Sequence, residues 1–168
     1  TPIKSSAASD VYKRQVCDIF GHVAALPRIL NKFGIRGALL SRGLNDDFTP
    51  CHFRWISPDG SEATTFKAPE VCGYGSFFSE VILPFFPRPE EHMDGMVEKA
   101  IEYVNAELAR TEFPYVVLMD GMDHEHIHTF APELARRISE HFGCPVVFEN
   151  LAHLVDDLKG CKLPEVKG

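Results

Sequence analysis

The sequence lacks the features that mark membrane-embedded and nucleic-acid-binding proteins. Its apolar runs are short and fall well below the roughly 18 residues that a membrane-spanning helix requires. Basic residues are in the minority, with 17 Lys and Arg against 24 Asp and Glu, and the net charge is −7. A negatively charged protein is repelled by phosphate backbones and by anionic lipid surfaces. We therefore expect neither a nucleic acid nor a membrane as a partner.

Cysteine is sparse and irregularly spaced. The five cysteines are Cys17, Cys51, Cys72, Cys144 and Cys161, an odd number, and no Cys-x-x-Cys pair occurs. Such a set favours neither a disulfide framework nor a thiolate zinc site. We therefore expect reduced thiols and a cytoplasmic location.

The sequence does contain enough apolar material for a hydrophobic core. Hydrophobic residues make up 45% and charged residues 24% of the chain, which are ordinary values for a globular protein. A length of 168 residues fits one domain of usual size or a piece of a larger one.

Residues 1–15 differ from everything that follows. They are polar, rich in small residues and without apolar periodicity, which is typical of a disordered tail. A sharper interpretation is that they are not native sequence. The segment DVYKRQ, residues 10–15, can be encoded by GATGTGTATAAGAGACAG, which resembles a transposase adapter end used in sequencing libraries. We expect residues 1–15 to be non-native or disordered and the native sequence to begin near Val16.

From residue 16 onward, the sequence alternates between strand-like and helix-like patterns. Short apolar runs predict strands at 16–20, 36–40, 115–119 and 145–148, and a Pro-Asp-Gly turn predicts a hairpin that joins 53–56 to 62–66. Apolar residues at helical spacing predict helices at 24–33, 90–110 and 132–142, with a last helix capped by Asn150 and reaching Lys159. The stretch 67–89 is predicted to be a long irregular segment, which is usually functional in a compact domain. The final residues read as the approach to a new strand.

Ionisable residues follow several of these strands. Strands that alternate with helices indicate an α/β domain with a largely parallel sheet, in which the working groups gather at the C-terminal ends of the strands. Three strand ends carry such groups here: Asp18, Arg42, and the pair Asp120 and Asp123. A single such residue is ordinarily a helix cap, but three together favour a functional site.

Four segments, in order along the chain, resemble a known family. They are DIFGHVAALPRIL from residue 18, FGIRGALLSRG from residue 33, FRWISPDGSEATTF from residue 53 and VVLMDGMDH from residue 116. Together they resemble the catalytic domain of glycoside hydrolase family 38, the retaining α-mannosidases. The resemblance covers essentially all of residues 16–168. It implies an irregular seven-stranded β/α barrel with a largely parallel sheet, of which this chain is a fragment truncated at both ends.

The resemblance also implies roles for individual side chains. Asp18, which opens the Asp-x-Phe-Gly-His motif, would be both the catalytic nucleophile and a zinc ligand, and Asp123 would be the general acid/base. Phe20 would stack against the sugar ring, and Arg42 would pair with the nucleophile and hold it ionised. Asp120 stands where bacterial members commonly have Asn, so the resemblance assigns it no role.

The activity implied by the resemblance is hydrolysis of terminal α-mannosyl linkages in a mannosylated glycan. Retaining glycosidases need two carboxyl groups about 5–5.5 Å apart, one to attack the anomeric carbon and one to protonate the leaving oxygen. The implied cofactor is Zn²⁺. The zinc site of the family also uses a His-x-Asp pair from an earlier strand and a His far downstream, and the sequence supplies neither. We therefore expect this chain to be inactive by itself.

Two other interpretations compete with the α-mannosidase. A different metal-dependent carbohydrate hydrolase or deacetylase would take its ligands from His52, His124 and His126, and a non-catalytic sugar-binding domain would need none. The segment HEHIH, residues 124–128, places histidines at alternate positions that share one face of an extended chain, although a solvated loop is the plainer interpretation. Tyr74, in the long irregular segment, is a further candidate for substrate contact.

Overall fold

The structure, a computed structural model, describes residues 15–16, 19–45, 47, 49–111, 113, 115–158 and 160–168. The expectations for residues 1–14, Cys17 and Asp18 lie outside these ranges. The chain divides into two compact units. The first, here called the sheet unit, comprises Thr1–Glu70 and Glu149–Gly168, and the second, the helical unit, comprises Val71–Phe148. The predicted extent of the domain, residues 16–168, stays a prediction.

The described part of the sheet unit contains a mixed sheet. Its strands are β1 (Gln15–Val16), β2 (Gly37–Leu40), β3 (His52–Ile56), β4 (Glu62–Lys67) and β5 (Glu165–Lys167), in the spatial order β1-β2-β4-β3-β5. The pairs β1–β2, β2–β4 and β3–β5 are parallel, and only β3–β4 is antiparallel. An α/β fold with a mostly parallel sheet is therefore confirmed, as is a strand at the end of the sequence. The seven-stranded barrel remains an expectation.

The predicted hairpin is confirmed and its turn has the expected chemistry. Gly60 has φ +83° and donates its N–H to the Ser57 carbonyl oxygen at 2.9 Å. This backbone conformation is one that glycine adopts without a steric penalty. The carboxylate of Asp59 accepts the N–H of Ser61 at 3.1 Å, and this hydrogen bond lowers the pKa of Asp59. The antiparallel pairing of β3 with β4 follows directly from this turn.

Helix α1 (Leu26–Lys32) lies within the predicted range 24–33, with Pro27 in its first turn as expected. Its end is a complete Schellman motif. Gly34, at φ +71°, donates to the Asn31 carbonyl, and Ile35 donates to the Leu30 carbonyl, both at 3.0 Å. The motif returns the chain toward the sheet, where Leu30 is buried.

Helices cover the sheet on both faces. Leu30 of α1 belongs to the core cluster of the sheet unit, whose buried members are Leu30, Ala38, Leu40, Phe53, Trp55 and Ala63. Gly37 instead faces Val155 of α4 (Leu151–Asp157), so closely that a Cβ at Gly37 would overlap the valine. Because successive strand residues point to opposite faces, α1 and α4 lie on opposite sides of β2. The predicted cap of α4 is confirmed, since Asn150 Oδ1 accepts the Ala152 N–H at 2.8 Å.

The helical unit is built around α2 (Met93–Ala109) and α3 (Ala131–Phe142), which confirm the helices predicted at 90–110 and 132–142. Gly143 ends α3 at φ +64°. The two helices contribute most of the core of this unit, whose buried members are Phe77, Phe78, Val81, Ile82, Met96, Val97, Ala100, Tyr103, Val104, Leu134 and Ile138. Within the described ranges, no helix is both long and apolar enough to cross a bilayer.

The prediction that residues 67–89 form an irregular loop is wrong. Lys67 is the last residue of β4, and short helical turns follow at Gly73–Gly75, Phe78–Ile82, Leu83–Phe85 and Pro89–His92. Four residues of this stretch, Phe77, Phe78, Val81 and Ile82, are buried core residues, while Val71, Leu83 and Phe86 are exposed. Its prolines and glycines interrupt the helix but leave enough successive turns to bury one apolar face against α2.

Two predicted strands are also wrong. Residues 115–119 and 145–148 are not assigned to any strand of the described sheet. Leu118 and Val146 pack against the helical core instead, while Val147 is 63% and Phe148 70% exposed. An apolar run specifies burial, but a strand also needs a neighbouring strand as hydrogen-bond partner. Neither described segment has a strand paired to it.

We expect a buried hydrogen bond between Ser76 and Tyr103 to stabilise the helical unit. The Ser76 Oγ and Tyr103 Oη atoms lie 2.7 Å apart, and both residues are buried. Tyr103→Phe leaves the serine hydroxyl unpaired, and the free energy of unfolding should fall by about 1–2 kcal/mol in denaturant titrations followed by circular dichroism. The double variant with Ser76→Ala should recover part of this loss, and Tyr115→Phe, at an exposed position, should lose almost nothing. A double variant less stable than Tyr103→Phe alone would contradict the assignment.

Candidate active site

Three parallel strands end at one edge of the sheet. Val16 pairs with Leu40, and Leu40 pairs with Lys67, so the last residues of β1, β2 and β4 form one row across the sheet. The chain leaves β2 at this edge and continues through Ser41 to Arg42. Parallel sheets place functional groups at this end because loops from several strands meet there.

Phe20 and Arg42 contact each other at this edge. The guanidinium carbon of Arg42 lies 4.8 Å from the centroid of the Phe20 ring, which is a cation–π geometry. Phe20 is 78% exposed, so much of its ring surface stays open to solvent. The structure therefore brings together two of the residues predicted to bind substrate. Their roles toward a sugar and toward a nucleophile stay predictions.

Backbone contacts hold the Phe-Gly-His turn against the end of β2. His22 Nε2 lies 2.9 Å from the Arg42 carbonyl oxygen and therefore donates to it, and the His22 and Trp55 rings form a T-shaped pair with centroids 5.8 Å apart. Gly43 has φ +79°, and a Cβ at this position would lie 2.9 Å from the Phe20 carbonyl oxygen. Close backbone approach thus requires glycine at 43, and His22 has a structural role that the motif alone did not assign.

Asp18, the expected nucleophile and zinc ligand, lies outside the described residues, so the structure does not place it.

Lys67 is a residue of the same edge that the sequence interpretation missed. Its side chain is 0% exposed at the last position of β4, and it has an interaction partner. A buried ammonium group is costly unless it is paired. The alternation of β4, which places Lys67 on the face of Thr65, is the signal that could have identified it.

Tyr74 and Asp123 lie on neighbouring segments of the helical unit. Tyr74 is half-buried in the turn Gly73–Gly75 and has an interaction partner. A Cβ at Gly75 would lie 3.0 Å from the carbonyl oxygen of Gly121, which shows how closely this turn packs against the segment before Asp123. Asp123 itself is exposed. This proximity is consistent with a shared site but leaves the role of each side chain a prediction.

Asp120 is hydrogen-bonded to the last histidine of the HEHIH segment. His128 Nδ1 lies 3.1 Å from Asp120 Oδ2. The His128 ring stacks with the rings of Phe78 and Phe130, with centroid distances of 5.6 and 5.1 Å and interplanar angles of 5° and 16°. The second ring nitrogen, Nε2, is buried and has no hydrogen-bond partner among the described residues. His128 is therefore a packed side chain with one polar contact.

The described residues do not fit a metal site. Among them, no group of three or more His, Cys, Asp or Glu side chains is arranged to hold an ion. His124 and His126 are exposed, and His52 is buried with its ring 5.4 Å from that of Phe66. The alternative metal-dependent hydrolase thus has no ligand set in the described chain. The zinc ion implied by the resemblance stays an expectation, and we derive no chemical step through it.

The fold is similar to that of a known glycosidase. The crystal structure of an alpha-mannosidase from Enterococcus faecalis V583 matches it with a TM-score of 0.71 at 15% sequence identity. The match covers 92% of this chain and 17% of that chain, so the present sequence spans about a sixth of the length of the enzyme it resembles. Identity this low shows a common fold and no more. No protein-family model and no curated protein matches the sequence.

A pair of glycine variants tests the packing of the Phe-Gly-His turn. Gly43 and Gly60 have nearly equal positive φ, +79° and +83°, but only Gly43 has a backbone atom where a Cβ would stand. Gly60→Ala should cost about 1–2 kcal/mol from backbone strain alone. Gly43→Ala should cost at least about 1 kcal/mol more because the Phe20 backbone must move. Denaturant titrations followed by the fluorescence of the single tryptophan, Trp55, measure both, and equal losses would disprove the close approach.

Proposed function

We propose that this chain is part of a retaining α-mannosidase that hydrolyses terminal α-mannosyl linkages of a glycan. The observation that carries the proposal is the structural similarity to an α-mannosidase over 92% of the chain. The Asp-x-Phe-Gly-His motif supports it, because its Phe20 meets Arg42 where β1 and β2 end. Since the similarity extends over only 17% of that enzyme, the proposed activity belongs to a longer polypeptide.

In the first step of the proposed mechanism, a carboxylate oxygen of Asp18 forms a bond to the anomeric carbon. The bond between that carbon and the leaving oxygen breaks, and Asp123 gives its proton to the departing oxygen. Arg42 is proposed to pair with Asp18, since a guanidinium close to a carboxyl group favours the ionised form of that group. The exposed face of Phe20 offers a surface for stacking of the sugar.

In the second step, Asp123 acts as the base. It takes a proton from a water molecule whose oxygen bonds to the anomeric carbon, and the bond from that carbon to Asp18 breaks. Two successive inversions leave the product in the α configuration. Tyr74 is proposed to contact the substrate, because its turn packs beside the segment that leads to Asp123.

The proposal includes Zn²⁺ as the cofactor of the longer enzyme, with Asp18 as one ligand. When bound, the metal would hold sugar hydroxyl groups. The described residues supply no ligand cluster. The isolated chain should therefore bind zinc weakly and hydrolyse no aryl α-mannoside, because metal affinity depends on a complete and preformed ligand set. Titration calorimetry measures the zinc affinity, and a zinc-supplemented aryl-mannoside assay measures the turnover. Zinc-dependent turnover by the 168-residue chain would contradict the proposal that the chain is only part of the enzyme.

The proposed mechanism is tested in the longer enzyme by the configuration of the product. Proton NMR during the first minutes of hydrolysis should show α-mannose before it equilibrates with the β anomer. Asp123→Ala should still react with an aryl mannoside whose leaving group needs no proton, but the second step should stall and mannosyl-enzyme should accumulate. Azide, which needs no base, should then release α-mannosyl azide.

Two results of that experiment would overturn the proposal. First-formed β-mannose would show inversion, and Asp18 could not be the nucleophile. Turnover of activated substrates by Asp18→Ala would also contradict the role of Asp18 as nucleophile, because no other residue is proposed to attack the anomeric carbon. Asp47→Ala, an exposed aspartate of the sheet unit, is the matched control and should keep the activity of the unaltered enzyme.

A further inference from the structure

We propose that the hydrogen bond between Asp120 and His128 positions the general acid/base, Asp123. The two residues stand eight positions apart, and their bond closes the segment between them, here called the Asp120–His128 loop. This inference rests on the proposed function, because that function gives Asp123 its catalytic role. Under this inference, Asp120 and His128 are positioning residues. The family resemblance gives neither of them a role.

The loop is anchored at its end by the His128 ring. The ring stacks nearly parallel with the rings of Phe78 and Phe130, and Phe78 is itself a buried member of the helical core. A ring stacked against two aromatic neighbours cannot move without disturbing this packing. The Asp120 carboxylate that bonds to this ring is therefore fixed relative to the core, and so is the start of the loop.

Among the described residues, few other contacts hold the interior of the loop, and one of them is a backbone hydrogen bond of 3.4 Å from the Glu125 N–H to the Met122 carbonyl oxygen. Asp123, Glu125 and His126 are exposed, and Ile127 is 96% exposed. His124, directly after Asp123, has φ +68°, a conformation that costs energy for any residue with a side chain. A strained, exposed loop keeps one conformation only if its surroundings determine it. The contact of Gly121 with Gly75 and the bond from Asp120 to His128 supply that constraint.

The chemistry of the pair indicates positioning and not direct participation in the reaction. An ionised carboxylate only accepts hydrogen bonds, so His128 Nδ1 must donate to Asp120. The other nitrogen, Nε2, is buried without a described partner and is closed to a substrate. The imidazole thus has one polar contact, and that contact is to the first residue of the loop.

Positioning of a general acid has a specific kinetic consequence. A displacement of about 1 Å can reduce a rate about 10²-fold. The loss should depend on the leaving group, because a poor leaving oxygen needs the proton of Asp123 and an activated one does not. A residue that only stabilises the fold would not discriminate between the two substrates.

The first test uses the 168-residue chain and needs no activity. Asp120→Ala and His128→Phe both remove the bond, and the second keeps an aromatic ring stacked with Phe78 and Phe130. Backbone order parameters of residues 121–127, measured by NMR relaxation, should fall from about 0.85, the rigid range, to below about 0.6 in both variants. Asp120→Asn keeps an oxygen acceptor and should stay rigid. His126→Phe makes the same change at an exposed histidine of the loop. It is the matched control and should leave the order parameters unchanged.

The second test uses the longer enzyme and two aryl α-mannosides, one with an activated and one with a poor leaving group. Asp120→Ala and His128→Phe should lower kcat/KM about 10²-fold for the poor leaving group and less than about threefold for the activated one. Asp120→Asn should restore most of the loss. Equal losses on both substrates, or unchanged order parameters in both variants, would overturn the positioning role. If the unaltered enzyme does not hydrolyse the α-mannosides, the proposed function itself is rejected. Because the unaltered enzyme is assayed before any variant, this result is distinguishable from failure of the positioning role.

Discussion

The parallel register of β1, β2 and β4 is the constraint on which the candidate site depends. Because Val16, Leu40 and Lys67 occupy one row, the chain leaves these strands at a common edge. Backbone hydrogen bonds set that register, and the core cluster on one face and α4 on the other pack against the strands. Arg42, the Phe-Gly-His turn and the buried Lys67 all take their positions from this row. A slip of one residue would turn Lys67 to the opposite face and separate it from its partner.

The helical unit uses a different means to place its ionisable residues. Here no strand ladder precedes Asp120, and the segment that carries it packs against helices through Leu118. Aromatic stacking around His128 and close glycine contacts provide the rigidity that a sheet edge provides in the other unit. The two sets of predicted site residues are thus supported by different kinds of packing, although the same family resemblance pointed to both.

Most of the helices and the hairpin were predicted correctly, because the patterns that specify them involve residues close together in sequence. The end of α1 at Gly34, the Pro-Asp-Gly hairpin and the Asn150 cap each involve groups within a few residues of one another. The strands expected at 115–119 and 145–148 failed for the opposite reason, since a strand requires a partner that no local pattern supplies. The family resemblance assigned Phe20 and Arg42 to one site, but neither their contact with each other nor the burial of Lys67 was foreseen.

The sequence by itself determined the α/β class, the hairpin and most of the helices. These follow from periodicity, turn chemistry and charge, which are properties of short segments. Only the tertiary structure decided which apolar runs pair as strands, that Lys67 is buried, and that Asp120 bonds to His128 instead of standing free beside Asp123. Each of these depends on contacts between residues far apart in sequence, whose energy comes from burial and from hydrogen-bond partners that the folded chain alone brings together.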